Sequence, residues 1–523
     1  MNNNTFRYGH DHLTVGLALD IARGNIQGVL TEEVKQKVQQ SAQHVATIVE
    51  SKKTVYGVNT GFGPLCTTTI SEEDTITLQY KILQSHSVGM GNPIPEEVAK
   101  LMMITKVHAL AMGYSGIALA TLERIVWHID NNVISLVPEQ GSVGASGDLA
   151  PLSHLFLPLI GLGEVYYKGE SLPMKAVMQK EGLEPIQLGP KEGLALINGT
   201  QFILSFAVRA VERLQNALDT ADIIGAISLE ALMGSGRPFI EELHRIRPYK
   251  GTKYVANRLS NLLAGSEILT SHAECDRVQD PYSLRCMPQV HGASRNAWLH
   301  LKEMTEIELN SVTDNPIILD SENTISGGNF HGQPMALPLD YATIAAAELG
   351  NISDRRSYMM IEGRYGLPKL LMENTGLDSG FMIPQYTSAA LVTENKTLCF
   401  PASADSVPTS LGQEDHVSMG SVSGRKLNQV ITNLERILAV ELLSAAQGLD
   451  FKRPLKSSVV IDGVHEMIRE HIPFAPEDRI FAYDLNTLET LIRNKKLVEA
   501  ANQIAQENNI DINGKENDTF GIY

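Results

Sequence analysis

Apolar residues recur at three- and four-residue steps through three long windows of the chain, which is the spacing of one face of an α-helix. The windows cover residues 201–234, 338–360 and 423–451. The last of them ends just before Arg453-Pro454, where a helix would be broken. None carries the heptads of a coiled coil. The pattern therefore predicts a bundle of long helices that bury much of their circumference, in part against other subunits.

The first two hundred residues have a different pattern, in which shorter helical segments alternate with glycine-rich loops such as "VYGVNTGFGP" and "HSVGMGNP". The predicted helices are Glu32–Lys52, Glu72–Gln84 (capped by Ser71) and Glu96–Met112. "VYYKGESL" is the best strand signal. The expectation is a mainly α protein with two parts. Residues 1–197 form a glycine-loop domain, and residues 198–523 form a long-helix bundle with a C-terminal helical part.

Composition narrows the class of protein. The chain has 523 residues and a net charge of −17, which argues against a nucleic-acid or anionic-membrane partner, since both need a basic surface. Its first residues, "MNNNTFRYGHDHLT", contain no apolar signal-peptide core. Four cysteines in so long a chain do not indicate a disulfide framework. The expected compartment is the cytoplasm.

Common catalytic and metal motifs are missing or wrongly spaced. "HEMIREH" places its histidines six residues apart instead of four, and Cys275 and Cys286 lack zinc-type spacing, so no metal site is expected. The segment "GSVGASGDLAPLSH" (residues 141–154) concentrates very small residues around Ser146. It misses the GxSxG pattern of a serine hydrolase by one position, and the strand–helix alternation of that fold is absent. A hydrolytic or non-catalytic protein stays as a distant alternative.

Seven motifs occur in an order that resembles the aromatic amino acid ammonia-lyases, over about residues 10–500. They are "VYGVNTGFGP", "GSVGASGDLAPLSH", "LALINGT", "VQDPYSLRCMPQV", "SVTDNPI", "GGNFHGQP" and "PTSLGQEDHVSMG". The resemblance implies a fumarase/aspartase-like helical fold and a homotetramer with shared active sites. It also implies that Ala145-Ser146-Gly147 cyclises autocatalytically to 4-methylidene-imidazol-5-one (MIO), with no dissociable cofactor and no metal. Gly147 would leave its amide nitrogen unobstructed for attack on the Ala145 carbonyl.

The same resemblance assigns roles to individual residues. Tyr56 would take the β-proton of the substrate, and Asn198 and Tyr282 would support the prosthetic ring and the developing charge. Arg285 would clamp the substrate carboxylate, because its planar fork suits bidentate pairing. The remaining residues that the resemblance singles out would line the site (Gln279, Asn329 and Phe330), assist ring formation (Asp148) or play a structural part (Asn315).

Two positions bear on the substrate. Ser85-His86, and Glu414 within "GQEDHVSM", resemble the histidine-specific members of the family. A carboxylate such as that of Glu414 would suit histidine, because a buried imidazole N–H requires a hydrogen-bond acceptor. Leu411-Gly412 depart from the Ala-Asn of those members. The resemblance implies a reaction of histidine catabolism, the non-oxidative deamination of L-histidine to trans-urocanate and ammonia. A tyrosine ammonia-lyase or an aromatic aminomutase on the same frame stays open.

Overall fold

The structure is a computed structural model that describes residues 5–51, 55, 57–58, 60, 72–274, 276–514 and 516–523. Helices dominate these residues. In chain order they are α1 (Val15–Arg23), α2 (Glu32–Glu50), α3 (Glu72–His86), α4 (Glu96–Ala111), α5 (Leu119–Asp130), α6 (Leu149–Phe156), α7 (Met174–Glu181), α8 (Glu192–Ile197), α9 (Gln201–Ala231), α10 (Glu241–Arg245), α11 (Lys250–Leu262), α12 (Glu267–Ser271), α13 (Tyr282–Arg285), α14 (Met287–Leu309), α15 (Gln333–Ile361), α16 (Met382–Leu398), α17 (Gly420–Asp450), α18 (Val459–His471), α19 (Phe481–Arg493), α20 (Lys496–Glu507) and α21 (Asn517–Phe520).

The strands are short and form four small sheets within the described residues. They are β1 (Thr5–Arg7), β2 (Gln27–Val29), β3 (Met90–Pro93), β4 (Ile134–Ser135), β5 (Pro138–Gln140), β6 (Glu164–Tyr167), β7 (Glu170–Pro173), β8 (Ile317–Ile318) and β9 (Thr324–Ile325). The pair β1–β2 is parallel, whereas β3–β5, β4–β6–β7 and β8–β9 are antiparallel. The segment predicted as a strand, "VYYKGESL", spans the β6–β7 hairpin.

The centre of the molecule is a bundle of α9, α14, α15 and α17, with α9 and α17 at its most buried position. Nearly every residue of α9 is buried, so this helix is enclosed on all sides, and its buried positions include charged residues such as Glu212, Asp222 and Glu230 as well as apolar ones. The three windows with helical periodicity correspond to α9, α15 and α17. The predicted mainly α fold is confirmed.

The glycine-loop part packs onto one end of this bundle. Helix α4 is buried along its length and contacts α9, and the short helix α8 leads through Asn198 and Gly199 directly into α9. A single hydrophobic core runs through residues on both sides of position 197. The division into two parts at that position stays a prediction.

The polar C-terminal stretch, which lies outside the motif resemblance, is nevertheless packed on the bundle. Phe520 is fully buried, with its ring 5.2 Å from that of Tyr254 on α11. The Tyr523 hydroxyl accepts a hydrogen bond from Lys495 Nζ at 2.7 Å. In the part of the chain that the structure describes, no helix combines the length and apolar character needed to cross a membrane.

Candidate active site

Ala145-Ser146-Gly147 forms a tight turn pressed against a second glycine. Ser146 has φ of 52°, and Gly147 has φ of 82°, both in the left-handed region that L side chains rarely adopt. A Cβ added to Gly147 would lie only 2.1 Å from the carbonyl oxygen of Gly199. The amide of Asp148 donates to that same oxygen at 2.7 Å. Glycine is therefore required at position 147 by both backbone conformation and space.

Asp148 anchors the turn to the start of the bundle. Its carboxylate accepts hydrogen bonds from Ser142 Oγ at 2.9 Å and from the backbone amide of Ile203, in the first turn of α9, at 3.0 Å. The side chain is fully buried, and burial raises its pKa to about 7 despite these donors. The carboxyl group is thus held in place by groups that belong to two separate segments.

Glu414 lies directly against the serine of the turn. Ser146 Oγ donates to Glu414 Oε1 at 2.9 Å. The second carboxylate oxygen accepts from Ser410 Oγ at 2.6 Å and from Thr409 Oγ1 at 3.2 Å. These hydroxyls fix the carboxylate, so that one of its oxygens points at residue 146.

His86 stands at the C-terminal end of α3, on the same side of the molecule. Its Nδ1 is 2.9 Å from Ser85 Oγ. Burial lowers the pKa of His86, while a hydrogen bond with the backbone of Ile82 and the negative charge of Glu414 act in the opposite direction. The chain just beyond His86 meets the base of the turn, because the amide of Gly89 donates to His154 and the Gly89 α-carbon lies close to Gly141.

Asn198 joins α8 to α9 immediately before the Gly199 that contacts the turn. Its side chain is buried, and its Oδ1 has no hydrogen-bond partner in the described structure. Its backbone carbonyl accepts from Lys106 Nζ at 2.5 Å. A buried acceptor without a partner in the chain can accept a hydrogen bond from a bound ligand or water.

Phe330 lies half-buried in the loop that precedes α15, near the same turn. The neighbouring Gly332 approaches Ser418, and Ser418 also lies against Gly144. Within this loop, His331 Nε2 is 3.2 Å from the carbonyl oxygen of His416. The segments around residues 144, 332 and 418 thus pack together.

Two further predicted residues support this loop or lie within it. Asn329 is exposed and donates to the carbonyl of Val312 at 3.1 Å. Asn315 bonds to Ser326 Oγ at 3.2 Å and accepts from the Gly327 amide at 2.7 Å. Asn315 therefore ties two chain segments together, in keeping with the structural part expected of it.

Gln279, Tyr282 and Arg285 are at the opposite end of the bundle. They lie beside the C-terminal end of α9, where Asp280 accepts from the amide of Ser235 at 2.7 Å. Helix α9 has 31 residues, so its two ends are about 45 Å apart. Within one chain these residues cannot reach Ser146.

The side chains at this far end form a small exposed group. Tyr282 is 71% exposed, and the Arg285 guanidinium lies 4.8 Å from the centre of its ring. Gln279 is exposed as well, whereas Arg285 Nε is buried without a hydrogen-bond partner in the described structure. Tyr56, the predicted base, lies outside the described residues, as does Ser71.

Sequence reasoning missed Lys106, the buried lysine beneath the turn. It is 1% exposed, and burial lowers its pKa to about 8. The signal was available in "LMMITKVHALAMG", where Lys106 interrupts an apolar run of α4, a helix that also carries Lys100. Among the described residues, no three histidine, cysteine or acidic side chains are grouped so that they could hold a metal ion.

Comparison with known proteins decides the family. The family model described as aromatic amino acid lyase matches residues 13–470. This chain belongs to the aromatic amino acid lyase family. The prediction made from the seven motifs is confirmed.

Relatives within this lyase family are similar over nearly their whole length. A histidine ammonia-lyase of Sorangium cellulosum is 46% identical over 495 residues, which cover 92% of this chain and 96% of that protein. The crystal structure of a histidine ammonia-lyase from Trypanosoma cruzi matches with a TM-score of 0.88 at 38% identity, covering 96% of this chain and 95% of the other. A tyrosine aminomutase of Streptomyces globisporus matches with a TM-score of 0.91 at 34% identity, covering 97% and 100%.

Proposed function

We propose that this lyase is a histidine ammonia-lyase that converts L-histidine to trans-urocanate and ammonia. The observation that carries the proposal is the contact between Ser146 and Glu414, in a chain closely similar to proteins of that name. Elimination of ammonia from an amino acid is difficult because the β-proton is weakly acidic and the amine is a poor leaving group. The site must therefore supply both an electrophile and a base.

The geometry of residues 145–147 suits the formation of MIO. The left-handed turn at Ser146 and Gly147 and the close approach of Gly199 constrain the backbone to a compact shape that a side chain at 147 would prevent. Ala145 is buried and brings no bulk to the site. When formed, MIO supplies an electrophilic methylidene that takes the nucleophilic atom of the substrate. The other residues bind the substrate and move its protons.

We assign the proton-accepting role to Tyr56, as the resemblance implies. The unpaired Oδ1 of Asn198 offers a hydrogen-bond acceptor beside the turn, while Lys106 holds the backbone of that residue from below. A fixed acceptor and a buried cation close to the reacting atoms provide preorganised electrostatic stabilisation. Arg285 would bind the substrate carboxylate, with Tyr282 and Gln279 next to it.

Substrate selection is proposed to depend on His86 and Glu414. Glu414 Oε1 has Ser146 Oγ as its donor in the chain before cyclisation. Once Ser146 has lost its hydroxyl, that carboxylate oxygen is available to accept the imidazole N–H of histidine. His86, with a pKa lowered by burial, is favoured in its neutral form and can hydrogen-bond the ring as well.

The separation of the two groups of predicted residues supports an assembly with shared sites, for which we propose a homotetramer. Arg285, Tyr282 and Gln279 would then enter a site whose Ser146 belongs to another copy. Large apolar side chains on α15 are about half exposed at helical spacing, which is unusual for a free surface and typical of a subunit interface. They are Leu337, Tyr341, Ile344 and Tyr358.

The shared-site proposal has a direct test by complementation. Subunits carrying Ser146→Ala or Arg285→Ala are each expected to assemble into inactive protein. When the two are co-expressed and co-purified, about one quarter of the sites combine an intact Ser146 with an intact Arg285, so activity returns. Mixed assemblies that stay inactive would contradict the proposal.

The reaction is tested by following urocanate absorbance after adding histidine to the purified enzyme. The intact mass of the active subunit is expected to be lower than the sequence mass by two water molecules. Ser146→Ala, which cannot form the methylidene, is expected to fold, to keep the full sequence mass and to produce no urocanate. A full-mass wild type with normal turnover would refute the role of MIO.

A second candidate is a tyrosine ammonia-lyase or aminomutase, favoured by the close fit to a tyrosine aminomutase structure. Comparing turnover of histidine and tyrosine, and testing for a β-amino acid product, separates these functions. A kcat/KM for tyrosine equal to that for histidine would favour the second candidate.

A further inference from the structure

A polar groove of about 440 Å³ lies between α9 and α17, outside the candidate active site. Its walls come from one face of each helix and from the chain around β3 and β5. The residues that matter here are Arg209 and Arg213 on α9, Arg425 and Lys426 on α17, and Glu139 on β5. Four cations therefore line the groove, with Glu139 as the carboxylate among its lining residues.

Two of the four cations are already neutralised. Arg213 makes a bidentate pair with Glu435, at 3.0 and 2.8 Å, and also donates to Thr432. Lys426 Nζ is 2.9 Å from Asp340 Oδ1. These contacts hold the two side chains in place and use most of their donors.

The other two cations make no hydrogen bond with the residues that the structure describes. Arg209 forms neither a hydrogen bond nor an ion pair with any residue that the structure describes. Burial and the positive charge of Arg213 lower its pKa, while the carboxylates of Glu97 and Glu435, each already paired with another arginine, act in the opposite direction. Arg425 is only 26% exposed, and its nearest carboxylate oxygen, on Glu139, is 3.8 Å away, which is too long for a strong hydrogen bond.

A partly buried guanidinium without a direct hydrogen-bond partner is costly to maintain, and Arg425 lines the same groove. Planar guanidinium forks match the oxygen spacing of phosphate and carboxylate groups. We propose that this groove binds a small anion with two or more negative charges, through phosphate or carboxylate oxygens held by Arg209 and Arg425. The side-chain amides of Asn428 and Gln429 also line the groove, but they already donate hydrogen bonds within the chain, so the two arginines are the groups proposed to hold the anion.

The position of the groove connects it to the reactive turn. Glu139 belongs to β5, and the chain runs from its end through Gly141 and Ser142 to Ser146. On the other side, Ser421, in the first turn of α17, donates to the carbonyl of Ser142 at 2.6 Å. Residues of the groove are therefore only a few positions along the chain from segments that contact the turn.

The test measures binding of inorganic phosphate and of malonate to the full chain by titration calorimetry, at constant ionic strength in chloride. It does not depend on the proposed reaction. We expect saturable binding of one anion per chain for at least one probe, and weakening by about tenfold or more in Arg209→Gln and in Arg425→Gln. Arg364→Gln removes the same charge from an exposed ion pair with Glu362 and is expected to bind like wild type.

The choice of probe and variants makes each result decisive. Tighter binding of phosphate indicates a site for phosphate oxygens, and tighter binding of malonate indicates a site for carboxylate oxygens. Either result supports the site. Absence of saturable binding, or equal binding by wild type and both groove variants, overturns the proposal. A changed oligomeric state in Arg209→Gln or Arg425→Gln would also overturn it, because the arginines would then hold a subunit contact. If Arg209→Gln fails to fold, the less buried Arg425→Gln carries the comparison.

Discussion

Replacing Gly147 by alanine tests whether the turn must touch Gly199 for the site to form. The added Cβ would lie 2.1 Å from the Gly199 carbonyl oxygen and 2.5 Å from its carbonyl carbon. A normal carbon–oxygen contact is about 3.3 Å, so the two backbone segments must separate by about 1 Å. Both contacts are with backbone atoms, which a side-chain rotation cannot relieve.

The size of the effect follows from this displacement. A misplacement of about 1 Å in an active site can cost about 10²-fold in rate. Because the separation also disturbs the segment that is proposed to cyclise, we expect Gly147→Ala to retain its full sequence mass and to lose at least that much kcat. The assays are intact mass spectrometry and urocanate formation.

Gly169→Ala provides a matched control. Gly169 has φ of 86°, close to the 82° of Gly147, but nothing lies within 4 Å of the position of its Cβ. The Gly169→Ala variant therefore measures the cost of placing alanine in a left-handed backbone conformation, about 1–2 kcal/mol, without the steric clash. We expect a Tm lower by no more than about 4 °C and unchanged activity. A Gly147→Ala enzyme with the mass and kcat of wild type would refute the reasoning.

Four further changes test other parts of the site. Tyr56→Phe removes the proposed base and is expected to lower kcat by ~10²–10⁴-fold; an unchanged kcat would place the base elsewhere. Arg285→Lys replaces a bidentate fork with a point charge and is expected mainly to raise KM for histidine, which steady-state kinetics will measure. Glu414→Gln keeps the shape but removes the charge, and is expected to reduce histidine turnover while leaving Tm nearly unchanged; equal turnover would exclude Glu414 from substrate binding. Burial raises the pKa of Asp148 to about 7, so the contribution of this group to the free energy of unfolding falls as pH rises from about 4 through 7. The Tm of Asp148→Asn should therefore fall less steeply than that of wild type across this pH range.

The long helices could be predicted because their periodicity is set by local burial. The window at 201–234 corresponds to α9, and the window at 423–451 to α17, which begins three residues earlier at Gly420. The packing of the C-terminal stretch against the bundle could not be predicted in this way. It is polar, and its packing depends on isolated residues such as Phe520, whose partner Tyr254 is far away in the sequence.

The sequence could suggest residues for the candidate site, but not how those residues are arranged in space. The small residues of the turn are explained by the approach of Gly199, a contact between segments about fifty residues apart that no local pattern reveals. The contact of Glu414 with Ser146 likewise joins residues 268 positions apart. Lys106 was missed because a lysine within an apolar run of a helix becomes informative only when its partner, the Asn198 carbonyl, is known.

The direction of α9 links these observations to the proposed assembly. Its first turn is fixed to the reactive turn through Asp148 and Ile203, and its last residues lie beside the group that contains Arg285. A helix of about 45 Å is too stiff and too well buried to bring its ends together, so no rearrangement within one chain can unite the two groups. If Arg285 does bind the substrate held at Ser146, an antiparallel arrangement of copies is the simplest way to bring the two ends to one site. The half-exposed apolar face of α15, which runs along the same bundle, is available to hold such copies together.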